Sequence, residues 1–139
     1  MKPERMGELA YKLLLERTAR RGYRLRKSMS RDIHNHAQQL GVETAELKQF
    51  TMIALRDLMG KMFPSMNVTF VSTLSDQRRN EIALLVARHE LRKESIRLNG
   101  DHDRELAELA QAIGENEREV KQLFTILMRE LMDELFPAV

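Results

Sequence analysis

RDIHNHAQQLGVETAELKQFTMIALRDLMGKMFP, residues 31–64, decides the fold because the chain carries it twice. Moved forward by 73 residues it falls without a gap on RELAELAQAIGENEREVKQLFTILMRELMDELFP, residues 104–137, with 13 of 34 positions identical. Other positions change conservatively, among them Asp32 and Glu105, Leu40 and Ile113, Leu47 and Val120, Phe50 and Leu123, Asp57 and Glu130, and Met62 and Leu135. A repeat of this kind is one supersecondary unit, and stacking the copies is how it buries its apolar face.

Working outward, the apolar spacing predicts three helices per copy. Met6, Leu9, Ala10, Leu13 and Leu14 recur at helical steps from Pro3, which suits a first turn, towards Lys27. Gly22 is placed to end or bend that helix. Ser30 reads as the N-cap of a second helix that Gly41 stops after Leu40. A third runs from Thr44 to Met62 with Leu47, Phe50, Ala54, Leu58 and Met62 inward, and Pro64 follows it. Residues 64–75 lose the helical period and read as a linker. Ser75 then caps a helix to about Leu98, with Ile82, Leu85, Val86 and Leu91 on its apolar face. Asp101 or Asp103 opens the next, through Ile113, and Gly114 repeats the stop. Asn116 and Glu119 form a capping-box pattern before a last helix to Phe136, with Val120, Leu123, Leu127, Leu131 and Leu135 inward.

The expected fold is all-α: a tandem duplication of a three-helix unit, six helices packed as a pseudo-two-fold bundle through the long third helices. Repeat 1 spans residues 1–64, the linker 65–75 and repeat 2 residues 76–139. Copies of about 65 residues are marginal alone, so a single shared core is expected.

Composition narrows the function. Hydrophobic residues make up 42% and charged residues 32% of the chain, the balance of a soluble globular protein. No apolar run approaches the roughly 18 residues of a membrane span. The absence of cysteine suits a reducing, cytoplasmic setting, and the N-terminus lacks the apolar segment of a signal peptide. A net charge of +2 conceals two opposite halves. Residues 1–64 hold 13 Lys/Arg against 7 Asp/Glu, and residues 65–139 hold 10 against 14. The basic half suits an acidic partner such as DNA or RNA; equally, the halves suit each other, within or between chains.

Ala37, Gly41, Leu47 and Phe50, with Leu40 and Val42 beside the glycine, give a spacing that resembles a helix-turn-helix. Ala110, Gly114, Val120 and Leu123 repeat it. The resemblance implies base reading by outward residues at the start of the following helix: Glu43, Thr44, Ala45, Lys48 and Gln49, or Asn116, Glu117, Arg118, Lys121 and Gln122. Lys48 and Gln49 are retained as Lys121 and Gln122 and can contact bases or phosphates. Glu43, Glu46, Glu115, Glu117 and Glu119 crowd the same helix starts, which favours a packing role for the hairpin.

The strongest electrostatic feature precedes it. RTARRGYRLRKSMSR, residues 17–31, carries Arg17, Arg20, Arg21, Arg24, Arg26, Lys27 and Arg31 with Tyr23 inside and no acid. Such a run suits phosphate neutralisation with one stacking platform. A solvated helical face, or cations gathered at a helix C-terminus, would carry the same residues.

His34 and His36, two apart, point to different sides of a helix, and Asp101-His102-Asp103 reads as helix capping. The nine methionines, Met52, Met59, Met62, Met128 and Met132 among them, read first as core filling, although an exposed stripe suits an adaptable partner groove. No phosphate-cradling glycine loop, nucleophile elbow or catalytic acid pair is present. The sequence therefore reads as a non-enzymatic, cytoplasmic, nucleic-acid-associated regulator without metal or cofactor, binding phosphates through residues 17–31 assisted by Lys48 and Gln49. The alternative is a helical adaptor that binds a protein partner or a second copy of itself.

Overall fold

The computed structural model describes residues 1–21, 29–65, 73–93 and 102–135. These form six α-helices and no strand: α1 (Pro3–Arg21), α2 (Met29–Leu40), α3 (Thr44–Met62), α4 (Asp76–Lys93), α5 (His102–Ile113) and α6 (Glu117–Leu135). The expected continuation of α1 to Lys27, of α4 to Leu98 and of α6 to Phe136 lies outside the described residues, as does most of the linker. Among those residues, no helix is long and apolar enough to cross a membrane.

The caps follow the local sequence with two exceptions. Ser75 Oγ accepts the Arg78 N–H at 3.1 Å, as an N-cap should. Ser30 instead falls inside α2, which already begins at Met29. Asn116 Oδ1 accepts the Arg118 N–H at 2.8 Å, but the capping box is not closed, because Arg5 takes the Glu119 carboxylate.

α1 and α4 form the centre. Gly7 lies against Asn80 and Arg17 pairs with Glu90 at 3.2 Å, so the two helices run parallel. Both pairs are 73 residues apart, the shift that relates the two repeats. The fit at Gly7 is close: a Cβ there would sit 2.6 Å from the Asn80 carbonyl oxygen. Helical spacing puts Ala10 and Ala83, both fully buried, on the same seam.

Among the described residues α3 and α6 each touch both α1 and α4 but not each other, so they flank the central pair from opposite sides. The expected packing of the third helices on one another is thereby corrected. The small residues of α1 and α4 allow the first helices of the two repeats to approach closely, and that pair occupies the middle. α2 packs on α3 and α4, and α5 on α6 and α1.

One hydrophobic cluster joins residues of α1, α2, α3, α4 and α6, including Leu9, Ala37, Leu47, Phe50, Ile82, Leu123 and Leu127. Leu9, Leu58, Ile82, Val120 and Leu123 are fully buried. Each such aliphatic side chain contributes about 1.5–3 kcal/mol of burial. On α3 the inward face is Leu47, Phe50, Ile53 and Leu58, with Ile53 more deeply buried than the expected Ala54. Tyr11 is buried too. Its ring meets Phe50 edge-on at 5.9 Å and lies under the Arg79 guanidinium at 4.4 Å, while its hydroxyl donates to Asp57. Burial, then the Asp57 carboxylate, pushes the phenol above its ordinary range.

This packing yields three predictions. A fragment of residues 1–64 lacks Ile82, Ala83, Leu84, Val86, Leu123 and Leu127 of the shared cluster and should show no cooperative thermal transition by circular dichroism; a cooperative melt would establish an autonomous first repeat. Gly7→Ala should lower urea stability by about 1–3 kcal/mol through the clash with Asn80. Gly60→Ala, whose new Cβ meets nothing within 4 Å, should raise it by about 0.5–1 kcal/mol.

Candidate functional site

The two corners that resemble a helix-turn-helix have matching geometry. Gly41 and Gly114 adopt φ of 72° and 69°. The Val42 N–H donates to the Ala37 carbonyl at 3.0 Å and the Gly41 N–H to Gln38 at 3.2 Å; Glu115 and Gly114 donate to Ala110 and Gln111 at 2.9 and 3.2 Å. This is the Schellman arrangement, which needs a left-handed residue and so favours glycine. Ala37 and Ala110 are buried beneath the corners.

The helix starts after those corners serve as sockets for arginines. Arg78, near the start of α4, grips Glu46 of α3 at 2.6 and 3.0 Å and also Glu81 at 2.9 Å. Arg5, near the start of α1, holds Glu119 of α6 at 2.8 Å, Glu8 at 3.1 Å, and Glu115. Lys12 adds a second cation on Glu115. The Arg78 guanidinium keeps the Glu46 carboxyl below its ordinary range, Lys12 followed by Arg5 does so for Glu115, and Arg5 for Glu119.

Most would-be base-reading positions are committed or acidic. Thr44 Oγ1 lies 3.1 Å from His34 Nδ1, and Gln49 Oε1 accepts from the Thr73 N–H and hydroxyl at 3.2 and 3.1 Å. Lys121 pairs with Glu117 at 2.9 Å, which raises its pKa. Lys48 is exposed.

Of the basic run, Arg17 pairs with Glu90 at 3.2 Å. Arg20 and Arg21 fall in the last turn of α1 and Arg31 in α2, with side chains outside the described residues. Tyr23, Arg24, Arg26 and Lys27 lie wholly outside them. The described part of the structure thus brings Lys48 and Gln49 together on α3 and leaves their relation to the run undescribed.

His34 and His36 face different partners. His36 stacks obliquely on His89 of α4, with ring centroids 5.1 Å apart. Beside this pair an open groove of about 280 Å³ runs between α2, α4 and α6, floored by Leu40, Leu85, Leu91, Leu127 and Leu131. The Arg88–Glu130 pair at 2.9 Å bridges its rim. Among the described residues, no three His, Cys, Asp or Glu side chains are grouped to hold a metal ion.

Sequence reasoning missed two sets of residues. Arg5, Glu8, Arg78 and Glu81 are related by the same shift of 73, so extending the repeat alignment towards the N-terminus would have found them. Arg56 with Arg129, and Met59 with Met132, are retained outward positions on the third helices besides Lys48 and Gln49. Comparison with protein families, curated proteins and solved structures finds no match to this chain.

The sockets predict an acid limb of stability. The three carboxyls have folded pKa values below the ordinary 4.5. Their contribution is therefore complete above that value and is lost as the pH falls from it through the lower folded values. In urea unfolding at a series of acidic pH values, Arg5→Met with Arg78→Met should flatten this fall. Identical pH dependence in the variant and the parent would refute the assignment.

Proposed function

We propose that this chain is a small, non-enzymatic, nucleic-acid-associated regulatory protein that grips phosphate backbone through residues 17–31, and that its duplicated halves sit about a pseudo-two-fold axis so that one chain imitates a dimer. The carrying observation is where the positive charge resides. Outside residues 17–31 the first half holds six Lys/Arg against seven Asp/Glu, so its entire excess lies in the run. Of those six, Arg5, Lys12, Arg56 and Lys61 have carboxylate partners.

Two further features support the reading. Because α1 and α4 are parallel, their last turns lie at one end of the molecule, and the sequence puts Arg20 and Arg21 in one of those turns and Arg92 and Lys93 in the other. The two-fold arrangement draws support from contacts that are images of one another. Arg5 with Glu119 corresponds to Arg78 with Glu46, and Gly7 and Arg17 each meet their own counterparts, Asn80 and Glu90, as residues beside a two-fold axis do. The helix-turn-helix-like corners act here as scaffold, with Lys48 an auxiliary contact and Gln49 held by Thr73.

The test is a salt titration of binding to a labelled duplex and a labelled single strand. Affinity should fall steeply with salt, and Arg20→Ala, Arg21→Ala and Arg24→Ala together should reduce the slope by up to about three counterions. The thermal melt of the variant should match the parent. Absence of binding at low salt, or binding untouched by the three substitutions, rejects the reading.

A further inference from the structure

The outward faces of α3 and α6 form a pair of surfaces of which the nucleic-acid reading uses only Lys48. On α3, Lys48, Met52, Leu55, Arg56 and Met59 follow one another in helical steps of one side, opposite the buried Leu47, Phe50, Ile53 and Leu58, and Phe63 caps the helix just beyond. Met52 and Phe63 are 46% and 45% exposed. α3 therefore carries apolar side chains both towards the core and away from it, which core formation alone does not require. α6 keeps part of this pattern in Lys121, Met128, Arg129 and Met132, the last 43% exposed, with Thr125 in the place of Met52.

Retention at these positions is informative because packing does not dictate them. Lys48, Arg56 and Met59 recur as Lys121, Arg129 and Met132, while outward neighbours diverge, Ala45 to Arg118 and Gly60 to Asp133. The basic flank persists although α6 belongs to the acidic half. Of its acids, Glu119 is directed to Arg5 and Glu130 to Arg88, while Glu117 stays on this face against Lys121. Arg56 and Lys121 keep intramolecular partners in Asp57 and Glu117, whereas Lys48 and Arg129 are exposed.

We propose that each of these faces docks an acidic amphipathic helix of a partner protein, one on α3 and one on α6. Charge complementarity selects that occupant: an apolar stripe flanked by lysine and arginine matches a helix with an apolar stripe flanked by Glu or Asp. A second copy of this chain would set cation against cation on the same faces. Nucleic acid would satisfy Lys48 and Arg129 but leave Met52, Met59, Phe63 and Met132 in water. Methionine adapts its shape to the helix it meets, which suits recognition by pattern rather than by one fixed sequence. Since α3 and α6 flank the α1–α4 pair from opposite sides, the two faces look in opposite directions, and one chain holds two partner helices at once.

The experiment uses the full chain and two labelled designed peptides of about 16 residues, the span of the α3 face, each with leucine at helical spacing. One peptide is flanked by Glu and the other by Lys. Fluorescence anisotropy should show binding of the Glu peptide alone, and calorimetry should give two peptides per chain. Met52→Asp and Met132→Asp should each remove one site, weakening it at least about tenfold, and together remove both. Met52→Leu should retain binding, and circular dichroism melts of the Asp variants should match the parent. Substitution of Arg20, Arg21 and Arg24 by Ala should leave the peptide sites intact, so the outcome stands independently of the nucleic-acid test. Failure of the Glu peptide to bind, equal binding of the Lys peptide, or indifference to the Asp variants would overturn the proposal. So would capture of anionic vesicles or duplex DNA at these faces in place of the peptide.

Discussion

The close parallel approach of α1 and α4 is the constraint from which the rest of the structure follows. Gly7 lets the backbone around Asn80 come within a distance that any side chain at position 7 would forbid, and the buried Ala10 and Ala83 continue the narrow seam. A thin central pair lets both α3 and α6 reach both of its helices. Parallel neighbours also align their dipoles, setting two positive N-terminal ends together and two negative C-terminal ends together. Acids gather at the first: Glu8 and Glu81 on the helices themselves, then Glu46, Glu115 and Glu119 delivered by the flanking elements. Cations in the last turns suit the second. Two helix ends nevertheless account for only part of a run of seven Lys/Arg, most of which extends past the last turn of α1.

The arginine sockets support the proposed scaffold role of these corners. A reading helix must leave its first turns open to a groove. Here the first turn of α3 is held by Arg78 and that of α6 by Arg5, each guanidinium reaching from a first helix of the other repeat. The glutamates that would repel phosphate are the ones that bind these arginines. One set of residues thus occupies the first turns of α3 and α6 and fastens the two repeats to each other, reinforcing a core to which both repeats contribute.

Much of the fold was legible in the sequence because periodicity and stop signals are local. The two glycine corners, the span of α3 and the burial of Leu47, Phe50, Leu58, Val120, Leu123, Leu127 and Leu131 follow from spacing, whereas that of Ile53 does not, and the expected Met62 and Leu135 have side chains outside the described residues. Which helices pair was not legible, because long apolar helices suggest contact whereas the decisive feature was small size at Gly7, Ala10 and Ala83. The capping box at Asn116 failed for a related reason: Glu119 has a competing partner 114 residues away, beyond any local pattern. For the candidate sites, the charge run was visible as composition, while the outward methionines were indistinguishable from core methionines until the inward face of each third helix was established.

That last ambiguity bears on how the two proposed surfaces relate. Arg20 and Arg21 lie in the last turn of α1, at one end of the central pair, whereas the faces of α3 and α6 look outward from its flanks. Ligands at the end and at the sides need not collide, so phosphate binding and helix docking are separable by position as well as by chemistry. Duplication has also treated the surfaces differently. Repeat 2 matches the run Arg17 to Arg31 with Glu90, Glu94, Asp101 and Asp103 among its cations, abolishing the single sign on which phosphate binding depends. It retains Lys121, Arg129 and Met132 on the flank. The proposed phosphate site thus belongs to one repeat, whereas the proposed helix-docking faces belong to both, the pattern of a bridge rather than of a simple reader.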